Sequence, residues 1–138
     1  MAIKSNRAAI IAAARRGALR GLVAGMHEIV DEATSLQHDT PRTGRTYRRR
    51  GVEHVASSPG NSPAPDTGTL VGSARVDLNA PELTVTATWT ADYALALEMG
   101  TENVAARPFV RPALAKRADD AQRTVLREIT AEIVRATK

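Results

Sequence analysis

Residues 73–90 read SARVDLNAPELTVTATWT, the clearest alternation of polar and apolar residues in the chain. Ala74, Val76 and Leu78 alternate with Ser73, Arg75 and Asp77; after a turn at residues 79–82, Leu83, Val85, Ala87 and Trp89 alternate with Thr84, Thr86, Thr88 and Thr90. Successive side chains of a strand point to opposite faces, so this period of two predicts an antiparallel pair with one buried and one polar face.

The segments on either side repeat at a different period. Upstream, Leu19, Leu22, Met26, Ile29, Ala33 and Leu36 recur at spacings of three and four. They form an apolar seam along a helix predicted from about residue 5 to about residue 37. Gly17, Gly21 and Gly25 recur every fourth residue inside it, and each costs roughly 0.5 to 1 kcal/mol relative to alanine. The row either lets another backbone approach closely or marks a locally weak or bent helix. Downstream, Leu114, Ala118, Ala121, Val125, Ile129 and Ile133 share one stripe of a final helix over about residues 112–136. On its surface Asp119 and Asp120 are spaced to pair with Arg123. The expected fold class is α+β: a long N-terminal helix, a small antiparallel sheet, an extended arm and a C-terminal helix packed on the sheet.

Two segments break these periods. Residues 39–68 hold Pro41, Pro59, Pro63 and Pro65 among Gly, Ser and Arg, and are too long for an ordinary connector. They predict an extended Arg/Pro-rich arm or loop, with a short hairpin over residues 46–55 around Arg49, Arg50 and Gly51. Residues 93–114, YALALEMGTENVAARPFVRPAL, read as a structural joint containing Asp92, Tyr93, Glu98, Gly100, Pro108 and Pro112. Asp92 is placed to cap a short helix beginning at Tyr93, and Gly100 to end it in a left-handed conformation. Pro108 and Pro112 bracket Phe109, Val110 and Arg111, with Pro112 near the first turn of the final helix. Phe109, the one phenylalanine, becomes a rigid plug for a neighbouring element or a neighbouring subunit.

A chain of 138 residues is expected to form a single domain, residues 1–138. Hydrophobic content is 43% but aromatic content only 3%, so the core is built from Ala, Val, Leu and Ile with few large anchors. Assembly with other copies then offers further buried surface. Without cysteine there is no disulfide framework, thiolate metal site or cysteine nucleophile. Arg7, Arg15, Arg16 and Arg20 interrupt the N-terminal stretch too often for a signal-peptide core or a membrane span, which predicts a soluble protein made in the cytoplasm. The net charge is +4, but five cations (Lys4, Arg7, Arg15, Arg16, Arg20) precede Glu28, Asp31, Glu32 and Asp39 with no acid among them. That order opposes the helix macrodipole, which favours acids at the N-terminus by roughly 0.3 to 1 kcal/mol each. Something other than local helix stability set it.

Catalysis has thin support. His27, His38 and His54 are the only histidines, at no metal-pair spacing, and no glycine-rich phosphate loop is present. The chain is therefore read as a non-enzyme that needs no cofactor or metal. Nucleic-acid binding has a better basis, because Arg42, Arg45, Arg48, Arg49 and Arg50, with Tyr47 among them, make a dense cationic patch able to contact phosphates. One interleaved aromatic argues against stacking on single strands. Guanidinium forks serve carboxylates equally well, so an acidic protein surface is the other reading of the patch.

Two ordered stretches resemble a known family. YALALEMGT followed by AARPFVRPA, and PRTGRTYRRRGVEHVASSPGNSPAPDTGTLVGS upstream, are similar to the paired signatures of the neck or tail-completion proteins of long-tailed bacteriophages. Met99 and Val110 depart from that pattern, where the family often carries an aromatic and a leucine. The resemblance implies a structural virion protein of the neck, at the head-tail junction, made in the bacterial host's cytoplasm. It implies a ring of identical copies that joins the head-side connector or stopper to the tail terminator or tail-tube proteins. Closure of a head-to-tail interface requires such a ring; six copies suits the tail's symmetry and twelve the portal's, with six preferred. The contacts would be made by Arg42, Arg45, Tyr47, Arg48, Arg49, Arg50, Phe109 and Arg111, with sequence-independent contact to genome DNA in the lumen and none to membrane. The alternative is a small basic DNA-binding module that uses the 42–50 patch directly.

Overall fold

The computed structural model describes residues 6–138. The expected helix start near residue 5, and Lys4 of the N-terminal cation run, lie outside them. Eight elements follow in order: α1 (Arg7–Asp39), β1 (Thr46–Arg49), β2 (Val52–Val55), α2 (Thr69–Gly72), β3 (Ala74–Asn79), β4 (Thr84–Trp89), α3 (Ala94–Met99) and α4 (Val110–Ala136). The chain is α+β, with two long helices and two small antiparallel sheets. The two sheets are β1 with β2, the hairpin expected in the arm, and β3 with β4, the pair expected over residues 73–90. No helix among the described residues is long and apolar enough to cross a membrane.

The local chemistry accounts for most element ends. Alanines and leucines, good helix formers, carry α1 through its three glycines, and it stops at Asp39 because Thr40 precedes Pro41 and is pushed out of the helical region. Arg49 pairs with Val52 across the two-residue loop Arg50-Gly51, where φ is 50° and 81°. Two positive φ values are what the tight turn of a hairpin requires. Between β3 and β4 the side chain of Asn79 accepts the Glu82 N–H at 3.3 Å. The turn runs one residue longer than expected. Leu83 takes φ 54° there instead of opening the strand. Beyond it the period of two holds, with Val85, Ala87 and Trp89 half-buried and the threonines exposed.

The chain forms two compact units. The first takes α1 up to Glu28, residues 76–86, and α4 from Ala118 onward. Here the row of glycines is the contact: a Cβ added at Gly17 would lie 2.5 Å from Ile129 Cα, at Gly21 2.6 Å from Val125 Cα, and at Gly25 3.0 Å from the Ala121 carbonyl oxygen. Rising numbers on α1 meet falling numbers on α4, so the helices run antiparallel with backbones in close approach. Ala13, fully buried, extends the row by one turn. This corrects the expected seam, since Leu19, Leu22 and Met26 are only half-buried in this unit while the small residues face α4. Backbones this close leave no room between them for a leucine. On the partner helix Ala121 is buried and Val125 and Ile129 meet the glycines. Thr124 is buried beside them and donates to Glu28 Oε1 at 2.6 Å.

The second unit comprises residues 29–75 and 87–117. Its buried apolar core includes Ile29, Val30, Ala33, Leu70, Ala94, Phe109 and Ala113, with Glu32, Gln37, Ser57 and Ser73 buried among the polar residues. Leu114, expected on the inner stripe of α4, is half exposed, and its neighbour Ala113 is buried instead. Helix α4 starts at Val110, two residues before the expected Pro112. Glu32, almost wholly buried, accepts Lys116 Nζ at 2.6 Å and Arg117 Nε at 2.8 Å. Those two hydrogen bonds hold its carboxyl below the ordinary value of 4.5 against the opposing effect of burial.

Candidate functional site: the Glu98 joint and the arginine hairpin

A residue in the last turn of α3, Glu98, caps the start of α4. The Glu98 carboxylate accepts the backbone N–H groups of Phe109 and Val110 at Oε2 (2.8 and 3.0 Å) and of Arg111 at Oε1 (3.0 Å). Arg111 closes the ring from its side chain, with Nε on Oε1 at 3.2 Å and Nη2 on the Glu98 carbonyl at 2.9 Å. The first N–H groups of a helix have no partner within it, and an anion there is also favoured by the macrodipole. Pro112 has no N–H to satisfy, and the Ala113 N–H reaches the Phe109 carbonyl at 3.4 Å. Burial acts to raise the Glu98 pKa, but the three backbone donors and Arg111 outweigh it and hold the carboxyl below 4.5.

Three expectations about this joint change. Asp92 caps nothing: α3 begins at Ala94, its cap position is Tyr93, and Asp92 sits one residue outside, with an Ala91 carbonyl to Ala94 N–H bond of 2.9 Å making the turn. Gly100 does have positive φ, but at φ 75° and ψ 167° it is not in the left-handed helical region. That combination is open almost only to glycine. Phe109 is 1% exposed, its ring edge-on to Trp89 of β4 at 5.4 Å and 83°, so the plug fills a neighbouring element of its own chain and offers no surface to a subunit. Pairs of this kind contribute about 0.5 to 1.5 kcal/mol beyond area. Arg111 remains largely exposed beyond its bonds to Glu98.

The arm is a folded hairpin and loop. Gly44 N–H to the Ala56 carbonyl (2.8 Å) and Ala56 N–H to the Arg45 carbonyl (3.0 Å) continue the β1–β2 ladder inward. The following loop is tied to the strand of chain before α4: Gly60 N–H to the Ala106 carbonyl at 2.9 Å, Arg107 Nε to the Ser57 carbonyl at 3.2 Å, and Ser62 Oγ to the Pro108 carbonyl at 3.0 Å. A segment poor in apolar residues is thus held by its backbone polar groups, which is why its composition read as an open arm.

The arginines divide into two sets. Tyr47 and Arg49 lie on one face of β1, and both reach Asp66 Oδ2 at 3.1 Å. His54, opposite Tyr47 in register and stacked on it at 5.6 Å, places Nδ1 2.9 Å from Asp66 Oδ1. That oxygen has no other donor, so His54 carries its proton on Nδ1 when the contact is a hydrogen bond. Burial and the Asp66 contact both push the Tyr47 phenol up; Asp66, despite its own burial, is held below 3.8 by Tyr47, Arg49 and His54. Arg42 donates to the Pro65 carbonyl at 2.9 Å. These residues latch the hairpin to its loop. Arg45, Arg48 and Arg50 are exposed, Arg48 on the other face opposite Glu53, and Arg50 at the tip. The structure therefore brings Tyr47, Arg49 and His54 together and leaves a smaller cationic edge than the sequence indicated.

Glu98 was placed in the joint without a partner, Asp66 was not singled out, and His54 was weighed only among the three histidines for catalysis or a metal. Signals were present for Glu98 and Asp66: a proline at the third position of a helix whose start lacks a capping residue, and two acids, Glu53 and Asp66, between the five arginines and α2. Between hairpin, loop and α3 lies a cavity of about 280 Å3, lined by Tyr47, Pro63, Asp66, Leu70, Leu97 and Arg107 among others. Among the described residues no three His, Asp or Glu side chains are grouped to hold a metal ion. Family models, curated proteins and solved structures contain no match to this chain.

Proposed function

We propose that this protein is a structural component of a bacteriophage neck, a ring of identical copies joining the head-side connector to the tail. The reading rests on the resemblance of residues 93–114 and 41–73 to the family signatures. It is supported by the observation that these two stretches are hydrogen-bonded to each other through Ser57, Gly60 and Ser62. A hairpin held rigidly on a capped helix start can present Arg45, Arg48 and Arg50 at a defined place, and electrostatic contacts of that kind steer and register partners more than they hold them. Six copies would match the tail's symmetry and twelve the portal's, and six is preferred here.

Arg48→Glu with Arg50→Glu tests it in complementation of a phage lacking the gene. Both side chains are exposed and outside the Asp66 latch, so the melting transition stays within about 0.5 kcal/mol of wild type. The yield of joined particles is expected to collapse, with separate heads and tails seen by electron microscopy. Normal joining removes the hairpin tip from the mechanism. The other reading, a DNA-binding module built on the same arginines, is favoured if the isolated protein binds duplex DNA with a steep salt dependence that this double variant abolishes.

A further inference from the structure

Most of the exposed large apolar residues of this chain sit beside arginine. Ile11 lies one turn from Arg7 and Arg15, Leu114 from Arg111 and Arg117, and Leu126 from Arg123; Val134 precedes Arg135, and Val52 pairs opposite Arg49. Helix α3 of the second unit differs. Leu95 and Met99, one turn apart, are 73% and 58% exposed. Asp92 and Glu102 flank them in sequence, both exposed, and neither carboxylate meets a partner among the described residues. Glu98, the third acid here, is taken up by Arg111 and the start of α4. The outer side of α3 is therefore apolar and negative.

The first unit carries the opposite combination. Leu19, Val23 and Ala24 of α1 and Leu78 of β3 line a shallow depression of about 410 Å3, together with Arg20. Arg20 converges with Arg16 and Arg135 on Glu132, at 2.7, 3.3 and 2.7 Å. One carboxylate against three guanidiniums leaves two positive charges over, and all three arginine side chains are more than half exposed. Arg16, Arg20, Val23 and His27 follow one another at spacings of three and four along one face of α1, with no acid among them.

Like charges set against each other repel, so neither surface suits a second copy of itself. Each suits the other: apolar side chains against an apolar depression, and two carboxylates against two surplus guanidiniums. We infer that the outer side of α3, with Asp92, Leu95, Met99 and Glu102, docks on the Leu19, Val23 and Leu78 depression of a second copy, its acids facing the Arg16 and Arg20 guanidiniums. Apolar residues at the centre of such a contact exclude water, and the charges around them select the partner and its orientation. Two different surfaces make a head-to-tail contact, which leaves one of each kind open until the series of copies closes. The inference deepens the ring reading and rests on it for the expectation that copies assemble; the two surfaces are picked out by their own chemistry.

The chain contains no cysteine, so single introduced cysteines report the contact. Asn103→Cys stands next to Glu102 and His27→Cys one turn beyond Val23, both at exposed positions. When the two variants are mixed with a short bis-maleimide linker, the covalent dimer is expected to exceed that from either variant alone by about tenfold, the ratio that a preference of about 1.4 kcal/mol produces. A chain bearing both cysteines should give a ladder of trimers and larger species, as head-to-tail addition requires. Adding Asp92→Lys and Glu102→Lys to the Asn103→Cys chain should leave its melting transition in place and reduce the mixed product to background. Glu102→Lys alone serves if the pair melts lower. Gln122→Cys, one turn from Leu126 and next to Arg123, is the control for any apolar and basic surface and should give background only. An Asn103→Cys homodimer as abundant as the mixed one, an equal yield with Gln122→Cys, an undiminished product after charge reversal, or no mixed product would each overturn the inference. Arg48→Glu with Arg50→Glu lies outside both surfaces and should not change the cross-linking, so loss of head-tail joining in that variant and loss of this contact are read apart.

Discussion

Gly100 carries the tightest residue-level constraint in the joint. At φ 75° and ψ 167° it occupies a region closed to side chains, and a Cβ there would stand 3.0 Å from Ala106 N and 3.1 Å from the Val104 carbonyl oxygen. Asparagine, which tolerates the left-handed helical region, gains nothing in this one. Gly100→Val and Gly100→Asn are both expected to destabilise by about 2 to 4 kcal/mol, from backbone strain together with overpacking. Thr101→Val serves as the comparison. It removes the hydroxyl that accepts the Val104 N–H at 3.1 Å and should cost only about 1 kcal/mol. Urea melts of the three variants decide the order, and an asparagine variant as stable as wild type would mean that the chain leaves α3 by a left-handed turn after all.

At the scale of elements, α1 and α4 show how a weak helix sequence is kept. Each glycine is unfavourable by roughly 0.5 to 1 kcal/mol in isolation. The close approach they permit returns dispersion contacts along both backbones. The two effects have opposite signs for substitution by alanine. Propensity alone predicts that Gly17→Ala stabilises, whereas a Cβ 2.5 Å from Ile129 Cα predicts a loss of about 1 to 3 kcal/mol. Gly25→Ala, whose nearest atom would be 3.0 Å away, should be the mildest of the three, and thermal melts of the series read the order directly. The hairpin offers a second element-scale test. With the latch intact, trypsin should be slow at Arg45, Arg48 and Arg49; Asp66→Ala removes the acceptor of Tyr47 and Arg49 and should make those bonds the first cleaved. Rapid cleavage there in the wild type would show that the hairpin opens readily in the isolated chain.

Across the whole molecule, buried and half-buried acids set the pH range of stability. Glu32, Glu98, Glu132 and Asp66 all have carboxyl groups held below their ordinary values. For Glu132, hydrogen bonding from Arg16 leads that effect. A lowered pKa in the fold means that the unfolded chain takes up protons first as the pH drops. The stabilisation is therefore complete above the ordinary values of 4.5 for Glu and 3.8 for Asp, and is lost as pH falls through the depressed ones. Denaturant midpoints should be flat from neutral pH down to about 5 and then fall. Glu98→Gln should begin less stable at pH 7 and show a smaller fall, since its contribution no longer titrates. A variant that keeps the wild-type acid slope would mean that the start of α4 does not depend on that carboxylate's charge.

Local chemistry was enough for much of this. The period of two over residues 73–90, the hairpin around Arg49, Arg50 and Gly51 and the positive φ of Gly100 depend on neighbours in sequence, and these were legible without coordinates. The glycine row was legible as a pattern but not in its meaning, because a row of small residues is read only by what approaches it, and Ile129, Val125 and Ala121 lie about a hundred positions away. The same holds for the candidate contacts. Arg42 to Arg50 look alike as a run of charge, yet strand pairing puts Arg49 with Tyr47 on Asp66 and turns Arg48 to the other face. Glu98 caps a helix that begins twelve residues later, and Glu132 gathers arginines from the far end of the chain. Sequence by itself determined where the two long helices and the two strand pairs form, through steric and hydrogen-bond rules acting within a few residues, though it missed α2 and the first residues of α4. Only the tertiary structure decided which charges are used up inside the fold and which remain for a partner, because opposite charges pair by distance in space, and folding alone brings Arg20 within 2.7 Å of Glu132 and Arg49 within 3.1 Å of Asp66.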